Sequence, residues 1–378
     1  MFMGLNSKET YERVGELSET TIKDIAKQCG VSVSTVSRAL NNHPDIRPDT
    51  REKIMQTIQE TGFVPNDSAR FLKRSEGNGI ALLVKGIMNP FFSSMIQVIE
   101  GYISEKNYTT ILRHVGNQDD ELTVAQSLIK ERRLKGIVFL GGRFVYDEKR
   151  LKQLKVPYVF STIGNMMQLG RDGSFIQERE ESDEITRLPA PYANIAVDDV
   201  ASSRKAVEYL IGLGHRNIGM ISEGIHDPSI GQLRLRGYRY ALEKYDIPYR
   251  EDWIYEANEG IEHYSPENGY KGAKYLLETH PEMTAVFCIS DMLAIGACRA
   301  IVETGRRIPE DISVIGYDGI DLGDFYIPRL TTVRQPIHHL AEETIDLLFD
   351  MIDKKRKPEN IIMPAKLVIK ESAGLAPQ

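Results

Sequence analysis

The 378-residue chain is poor in cysteine, with only Cys29, Cys288 and Cys298. Three so widely scattered thiols give neither a disulfide framework nor the paired spacing of a zinc site, and they read as buried thiols of a reducing compartment. No apolar run approaches the ~18 residues that a membrane span needs. Residues 1–20 carry Lys8, Glu9, Glu12, Arg13, Glu16 and Glu19 without an apolar stretch, so no secretory signal is expected and the expected location is cytoplasmic. Phosphate-cradling glycine loops after a strand, a nucleophile elbow and metal-ligand spacings are all missing, which argues against an enzyme and against any cofactor or metal. His215 and His226 fall in loop-like stretches with no nucleophile beside them and read as structural.

What is present is an ordinary globular composition, 41% hydrophobic and 27% charged, on a chain long enough for two or three domains. The net charge of −7 argues at first against a nucleic-acid partner. Its distribution argues the other way. Residues 21–74 hold nine basic and six acidic side chains, so the acidic excess lies elsewhere. A small basic module on a large acidic body suits a protein that meets phosphate at one end only.

That module reads as three short helices over residues 21–62. Thr21 and Asp24 have capping-box spacing, and Ile22, Ile25, Ala26 and Cys29 recur on one helical face before Gly30 stops the first helix. Ser32 can cap a second helix running to about Leu40. Its Val36 and Leu40 share one face, while Ser34 and Arg38 lie about 200° away from Val36 and point outward. The third helix has Pro48 at its first position, an apolar stripe of Ile54, Met55 and Ile58, and Gly62 as its stop. A short helix, a tight turn and a second helix with a polar outer face can lay that second helix in a major groove. Arg38 would then suit the O6 and N7 acceptors of guanine, and Val33 a thymine methyl; a solvated surface arginine is the alternative.

From Gly79 onward, strand-length apolar runs alternate with amphipathic helices. The runs are Ile80–Val84, Thr110–Leu112, Gly136–Leu140, Tyr158–Phe160, Ile218–Ile221, Ala285–Ile289 and Ser313–Ile315, with helical stretches such as Ala201–Leu213 and Met292–Glu303 between them. This predicts an α/β body of parallel sheets covered on both faces, too long for one sheet and therefore two-lobed. Met166–Tyr192, acidic and ending in Pro189 and Pro191, breaks the rhythm and reads as an exposed loop, a short exposed helix or a disordered insertion.

Thr21-Ile22-Lys23-Asp24-Ile25-Ala26 leading into Val31-Ser32-Val33-Ser34-Thr35-Val36-Ser37-Arg38-Ala39-Leu40-Asn41 resembles the DNA-binding head of the lactose-repressor (LacI/GalR) family, and the resemblance runs to about Ala373. It implies a transcription regulator with an all-α helix–turn–helix head and a two-lobed body like that of periplasmic sugar-binding proteins. The implied domains are an extension over 1–20, the head over 21–62, a hinge helix and linker over 63–77, and an effector and dimerisation body over 78–378, with lobe crossings near 162–195 and 318–336. Val33 and Ser34 match the operator-choosing positions and Arg38 the base-contacting arginine. The resemblance extends the DNA-facing set to Thr21, Ser32, Thr35, Ser37 and Asn41. In the hinge it adds Asn66, Ala69, Lys73 and Leu72, the last as a wedge in a central base step. The hinge run is too short to be a stable helix alone in water, so it would form on the operator, beside its dimer mate.

The cleft is read from polar residues at strand ends, where open parallel sheets place their sites. Asn89, Phe91 and Phe92, then Arg234, then Ser290 and Asp291, and Asp318 stand at such positions. By the resemblance Arg234, Asp291 and Asp318 would bond ligand hydroxyls, Phe91 or Phe92 with Tyr264 would face a sugar ring, and Gln335 would reach the ligand from the last lobe crossing. Ser290 stands where relatives often have asparagine. Ser161 lies in Phe160-Ser161-Thr162, where relatives usually carry an aspartate-containing segment. The expected partners are double-stranded operator DNA, a small-molecule effector of the sugar type and a second copy of the chain, with no membrane. Only nine residues follow Ile369, less than two heptads, so a dimer is expected rather than a coiled-coil tetramer. The rival readings are a transporter's sugar-binding protein, which would carry no such head, and an enzyme on a similar body, which would need catalytic groups not found. Replacing Leu72 by Ala is expected to weaken binding to a selected operator far more than binding to random duplex, measured by titration; equal loss on both would remove the wedge role.

Overall fold

A computed structural model describes residues 20–40, 43–63, 77–116, 119–142, 148–164, 184–223, 229–257 and 263–378. The chain divides into two compact units, Met1–Lys73 and Arg74–Gln378. In the first, helices α1 (Ile22–Cys29), α2 (Val33–Leu40) and α3 (Pro48–Thr61) enclose a small core of Ile25, Ala26, Cys29, Val36, Ala39 and Ile54. The Asp24 carboxylate accepts from the Thr21 backbone N–H at 2.9 Å and hydroxyl at 2.6 Å, which fixes the start of α1 and lowers the Asp24 pKa. Gly30 and Gly62 end α1 and α3 in the left-handed region, φ 68° and 62°, where a side chain would be strained.

The second unit is two layered lobes. The first sheet contains β1 (Gly79–Lys85), β2 (Thr109–Val115), β3 (Leu134–Leu140), β4 (Tyr158–Ser161), β5 (Thr186–Pro189), β6 (Ala193–Val197) and β12 (Glu359–Met363), in the order β2-β1-β3-β4-β6-β12-β5. The second contains β7 (Ile218–Ser222), β8 (Ile254–Glu256), β9 (Ala285–Cys288), β10 (Ser313–Asp318), β11 (Thr331–Arg334) and β13 (Lys366–Val368), in the order β13-β11-β10-β9-β7-β8. Every pairing is parallel except β5 with β12 and β11 with β13. The first lobe carries α4 (Pro90–Glu105), α5 (Glu121–Glu131), α6 (Glu148–Leu151) and α12 (Ile337–Ile352); the second carries α7 (Asp199–Gly212), α8 (Ile230–Lys244), α9 (Pro266–Thr279), α10 (Asp291–Glu303) and α11 (Leu322–Phe325). The central strands are buried on both faces, as β1, β6, β7 and β9 show, because helices cover both sides.

Two expectations are corrected here. Residues 162–195 are not a crossing: β5 and β6 both stay in the first sheet, and the chain passes to the second lobe only after Val197. It returns at Gln335–Pro336, before α12, and crosses a third time between β12 and β13. The end of the acidic insertion is also not all loop, because Thr186–Pro189 adds an antiparallel edge strand to β12. Pro189 is tolerated because an edge strand has an unpaired side.

All three cysteines are buried and unpaired. His215 is structural: it bonds Thr284 Oγ1 at 2.9 Å, Ser313 Oγ at 3.0 Å and the Gly374 carbonyl at 3.1 Å, tying the C-terminal segment to β10, and burial lowers its pKa. Among the described residues no helix is long and apolar enough to cross a membrane. Helices α9 and α10 touch backbone to backbone. A Cβ on Gly296 would lie 1.8 Å from the Pro266 carbonyl oxygen, and one on Gly269 2.0 Å from that of Leu293. Neither contact ends on a flexible side chain, so the helices must part. Gly296→Ala is therefore expected to cost about 3 kcal/mol or more in denaturant unfolding, at the upper end for overpacking; a loss under ~1 kcal/mol would contradict the close approach.

Candidate functional site

In the head, the residues assigned to the DNA-facing side of α2 stand clear of the core. Val33, Ser34 and Arg38 are exposed, while Val36 and Ala39 on the opposite face are buried. Ser32 caps the helix, its Oγ accepting from the Thr35 N–H at 3.1 Å, and lies 2.7 Å from Ser34 Oγ and 2.8 Å from Thr35 Oγ1. Thr21 is exposed at the start of α1, and Ser37 is partly covered on α2. Arg38 Nη1 donates to Asp45 Oδ2 at 2.9 Å, and the other carboxylate oxygen lies 2.5 Å from His43 Nδ1. Asn41, Asn66, Ala69, Leu72 and Lys73 lie outside the described residues.

In the body, a buried cluster joins the two lobes. Asp318 ends β10 with φ 111°, a conformation that costs a non-glycine residue about 1–3 kcal/mol and persists only where its surroundings enforce it. Those surroundings come from three directions. Gln335, at the crossing, donates Nε2 to Asp318 Oδ1 at 2.8 Å and its backbone N–H to the Asp318 carbonyl at 3.1 Å. Arg234, on α8, brings Nη1 to 3.8 Å from the same carboxylate oxygen. Asn89, in the other lobe, donates Nδ2 to Oδ2 at 3.0 Å. Asn89 also caps α4, its Oδ1 accepting from the Phe91 N–H, so its amide is fixed at both ends.

Arg234 is held in turn. Its Nε donates to Asp199 Oδ1 at 2.9 Å, its Nη1 to the Ile289 carbonyl, and its guanidinium stacks 3.5 Å from the centre of the Tyr317 ring. Burial alone would lower its pKa, but Asp199, Tyr317 and Asp318 hold it above the ordinary arginine value. Asp318 is pushed up to about 6, chiefly by burial, with Arg234 and the Asn89 and Gln335 bonds opposing. Asp291 is pushed up to about 8 by burial and by the charge of Asp318. The carboxylate of Asp291 is otherwise occupied: Oδ2 accepts from the Gly319 and Ile320 N–H groups, each at 2.8 Å, and Oδ1 from the Thr332 hydroxyl at 2.6 Å. It thus pins the turn after Asp318 to the start of α10.

The remaining expected residues are placed as follows. Ser290 caps α10, accepting from the Leu293 N–H at 3.2 Å. Ser161 Oγ lies 2.8 Å from Thr344 Oγ1, which donates to the Leu340 carbonyl, so its hydroxyl is engaged with α12. Phe91 is core, and only Phe92 is partly open, its ring against Gly86 and Gly141 at the ends of β1 and β3. Tyr264 donates its hydroxyl to Glu223 Oε2 at 3.1 Å, and His263 Nδ1 lies 3.2 Å from Oε1. Burial and Glu223 raise the Tyr264 pKa well above its ordinary value. Asn89, Arg234, Asp318 and Gln335 are thus brought together by direct contact, with Tyr264 within the field of Arg234 and Asp318.

Sequence reasoning missed Asp199, Glu223 and Tyr317. Asp199 follows β6, a strand hidden behind the acidic insertion, and Glu223 follows β7; the strand-end rule applies to both. Tyr317 precedes Asp318 on β10, and its ring stacks on the Arg234 guanidinium that also approaches Asp318. Among the described residues no three His, Cys, Asp or Glu side chains gather as a metal would require.

Residues 21–66 match the family described as bacterial regulatory proteins, lacI family, and residues 207–373 match a periplasmic binding protein-like domain. The HTH-type transcriptional regulator MalR of Clostridium butyricum is 35% identical over 353 residues, which cover 93% of this chain and 98% of that protein. The HTH-type transcriptional repressor PurR of Pectobacterium carotovorum subsp. carotovorum (strain PC1) is 32% identical over 347 residues, 90% of this chain and 93% of its own. Among solved structures, the transcriptional regulator CelR–cellobiose complex aligns over 93% of this chain and 99% of its own, with TM-score 0.64 and 26% identity. The lac repressor dimer bound to operator and the anti-inducer ONPF aligns over 94% of this chain and 99% of its own, with TM-score 0.67 and 24% identity, a likeness of fold. These relatives regulate transcription and are not enzymes. With 35% identity to such a regulator over 93% of its length, the chain belongs to the lacI family of bacterial regulatory proteins.

Proposed function

We propose that this chain is a cytoplasmic, sugar-controlled transcriptional repressor that binds a pseudo-palindromic operator as a dimer and uses no cofactor. Residues 21–62 read one half-site, 63–77 form the hinge, and 78–378 bind effector and dimerise. The head carries Val33, Ser34 and Arg38 to base edges, with Thr21, Ser32, Thr35, Ser37 and Asn41 at their flanks and Asn66, Ala69, Leu72 and Lys73 in the hinge. Phe325 and Ile327, 84% and 89% exposed near α11, offer neighbouring apolar side chains that a second copy could cover. A structural relative holds cellobiose, in support of a sugar ligand.

The observation that carries the control mechanism is the Asn89–Asp318 bond between lobes. A ligand hydroxyl donating to Asp318 Oδ2 meets the oxygen that Asn89 uses, so ligand binding and lobe arrangement are coupled through one carboxylate. A hydrogen bond to a charged group is worth roughly 1.5–3 kcal/mol, which matches the ~1–3 kcal/mol typical of allosteric coupling. The ligand shifts the equilibrium only by its difference in affinity for the two lobe arrangements. In this reading Arg234, Gln335, Phe92 and Tyr264 complete the ligand shell. Asp291, Ser290, Ser161 and Phe91 act through the framework, since their polar atoms or rings are taken up within it.

Asp318→Asn is expected to lose at least tenfold in response to any sugar that raises the melting temperature of the parent protein. Retained response would remove Asp318 from the site. The pH dependence follows from its raised pKa. Below about pH 6 the carboxyl takes a proton and loses acceptor capacity, so ligand affinity is expected to fall as pH drops from 7.5 to 5, approaching about tenfold per unit. The stability effect has the opposite sign: a raised folded-state pKa gives a contribution fully present below the ordinary value of 3.8 and lost as pH rises through about 6. Ligand titrations and melting curves on one pH series separate the two; affinity that is flat with pH would show that Asp318 does not accept from the ligand.

A further inference from the structure

We propose that Asp45 is a positioning residue that sets base specificity through Arg38. The inference rests on the reading of Arg38 as the base-contacting arginine. Arg38 and Asp45 are about half exposed, so the pair lies at the surface where α2 would meet DNA. Such an exposed pair contributes little to folding. Its carboxylate is nevertheless well anchored. Asp45 Oδ1 meets His43 Nδ1 at 2.5 Å, the His43 N–H donates to the Arg38 carbonyl at 3.0 Å, and Arg51 on α3 donates Nη2 to the His43 carbonyl at 2.6 Å. The acid is thus held by ties to α2 and α3, and the guanidinium is held by the acid.

Two consequences follow for recognition. A guanidinium has five N–H donors in one plane, and engaging Nη1 leaves the Nη2–Nε edge as a parallel pair of fixed direction, the arrangement that matches guanine O6 and N7. Arg38 without Asp45 keeps its charge but loses that direction, and a free exposed arginine settles equally well on phosphate. The carboxylate also repels phosphate, so it lowers affinity for DNA of any sequence and leaves the complementary base edge as the favourable partner of Arg38. Asp45 therefore exchanges affinity for discrimination.

The test uses the full-length protein, a duplex selected from a randomised pool, its single-base-pair variants and a random-sequence duplex. Arg38→Ala first locates the base pair whose preference depends on Arg38. Asp45→Asn, nearly the same shape without the charge, is then expected to bind random duplex about threefold to tenfold more tightly and to lose about fivefold or more of the discrimination at that base pair. In the Arg38→Ala background the same change is expected to leave base preference unaltered. Melting curves verify that the variants are folded, and Asp45→Ala serves as the second variant if Asp45→Asn is not. Full discrimination retained by the Asp45 variant overturns the proposal, as does a change of base preference in the Arg38→Ala background. An Arg38→Ala protein with unaltered preference at every position overturns the reading of Arg38 itself, and Asp45 with it.

Discussion

Buried charge governs the body of this molecule. Asp199, Asp291 and Asp318 and the guanidinium of Arg234 are all nearly excluded from solvent and lie within one cluster of contacts. An unpaired ion there would cost several kcal/mol, so each group dictates where its neighbours go. Arg234 must reach α7 at Asp199 and β10 at Asp318, which fixes α8 between them. Asp291 must collect the turn after β10 and the hydroxyl of Thr332. Asp318, left with one oxygen shared by Gln335 and Arg234, turns the other across the cleft to Asn89. The contact between lobes is thus a by-product of satisfying a carboxylate inside one of them.

The head obeys a different rule. Its ion pair is half exposed, so it contributes little to folding the helices. Folding rests on a small apolar core, with the Thr21–Asp24 contact and left-handed glycines setting the helix ends. This frees the outer face of α2 to carry side chains chosen for recognition. Charged pairs therefore act in opposite ways in the two units: the buried ones constrain geometry, and the exposed one orients a side chain at little cost to stability.

Patterns with a strong local cause were legible in the sequence. Gly30, Pro48 and Gly62 mark helix ends, and continuous apolar runs mark the central strands, because those signals need no tertiary partner. Thr186–Pro189 and Lys366–Val368 are strands only because β12 and β11 offer an edge, so nothing in their own composition declares them. The first crossing was misplaced for the same reason, since β6 follows a polar insertion and earns its place in the sheet from β4 and β12. At the cleft, strand ends pointed to Asn89 and Asp318, whereas Arg234, expected at such a position, lies within helix α8. Which donors each acid meets was not legible: Asp291 takes the N–H groups of residues 319 and 320 and the hydroxyl of Thr332, and Asp318 takes the amides of Asn89 and Gln335 beside Arg234.

The same imbalance of charge bears on the proposed ligand class. The described groups of the cleft include Asp318 and Glu223, while Arg234 is already committed to Asp199 and a backbone carbonyl, and Asp291, pushed up to about 8, carries little charge at neutral pH. A ligand carrying phosphate or carboxylate would bring a further negative charge to this place. At ~4 Å and an effective dielectric of ~20, each such like-charge encounter costs about 4 kcal/mol, enough to offset two good hydrogen bonds. A neutral polyol faces no such penalty. Its hydroxyls donate to carboxylate oxygens in charge-assisted bonds, and its C–H faces can lie on the rings of Phe92 and Tyr264. In the proposed mechanism a hydroxyl on Asp318 Oδ2 acts on the same oxygen that ties Asn89 across the lobes, which couples ligand to lobe arrangement.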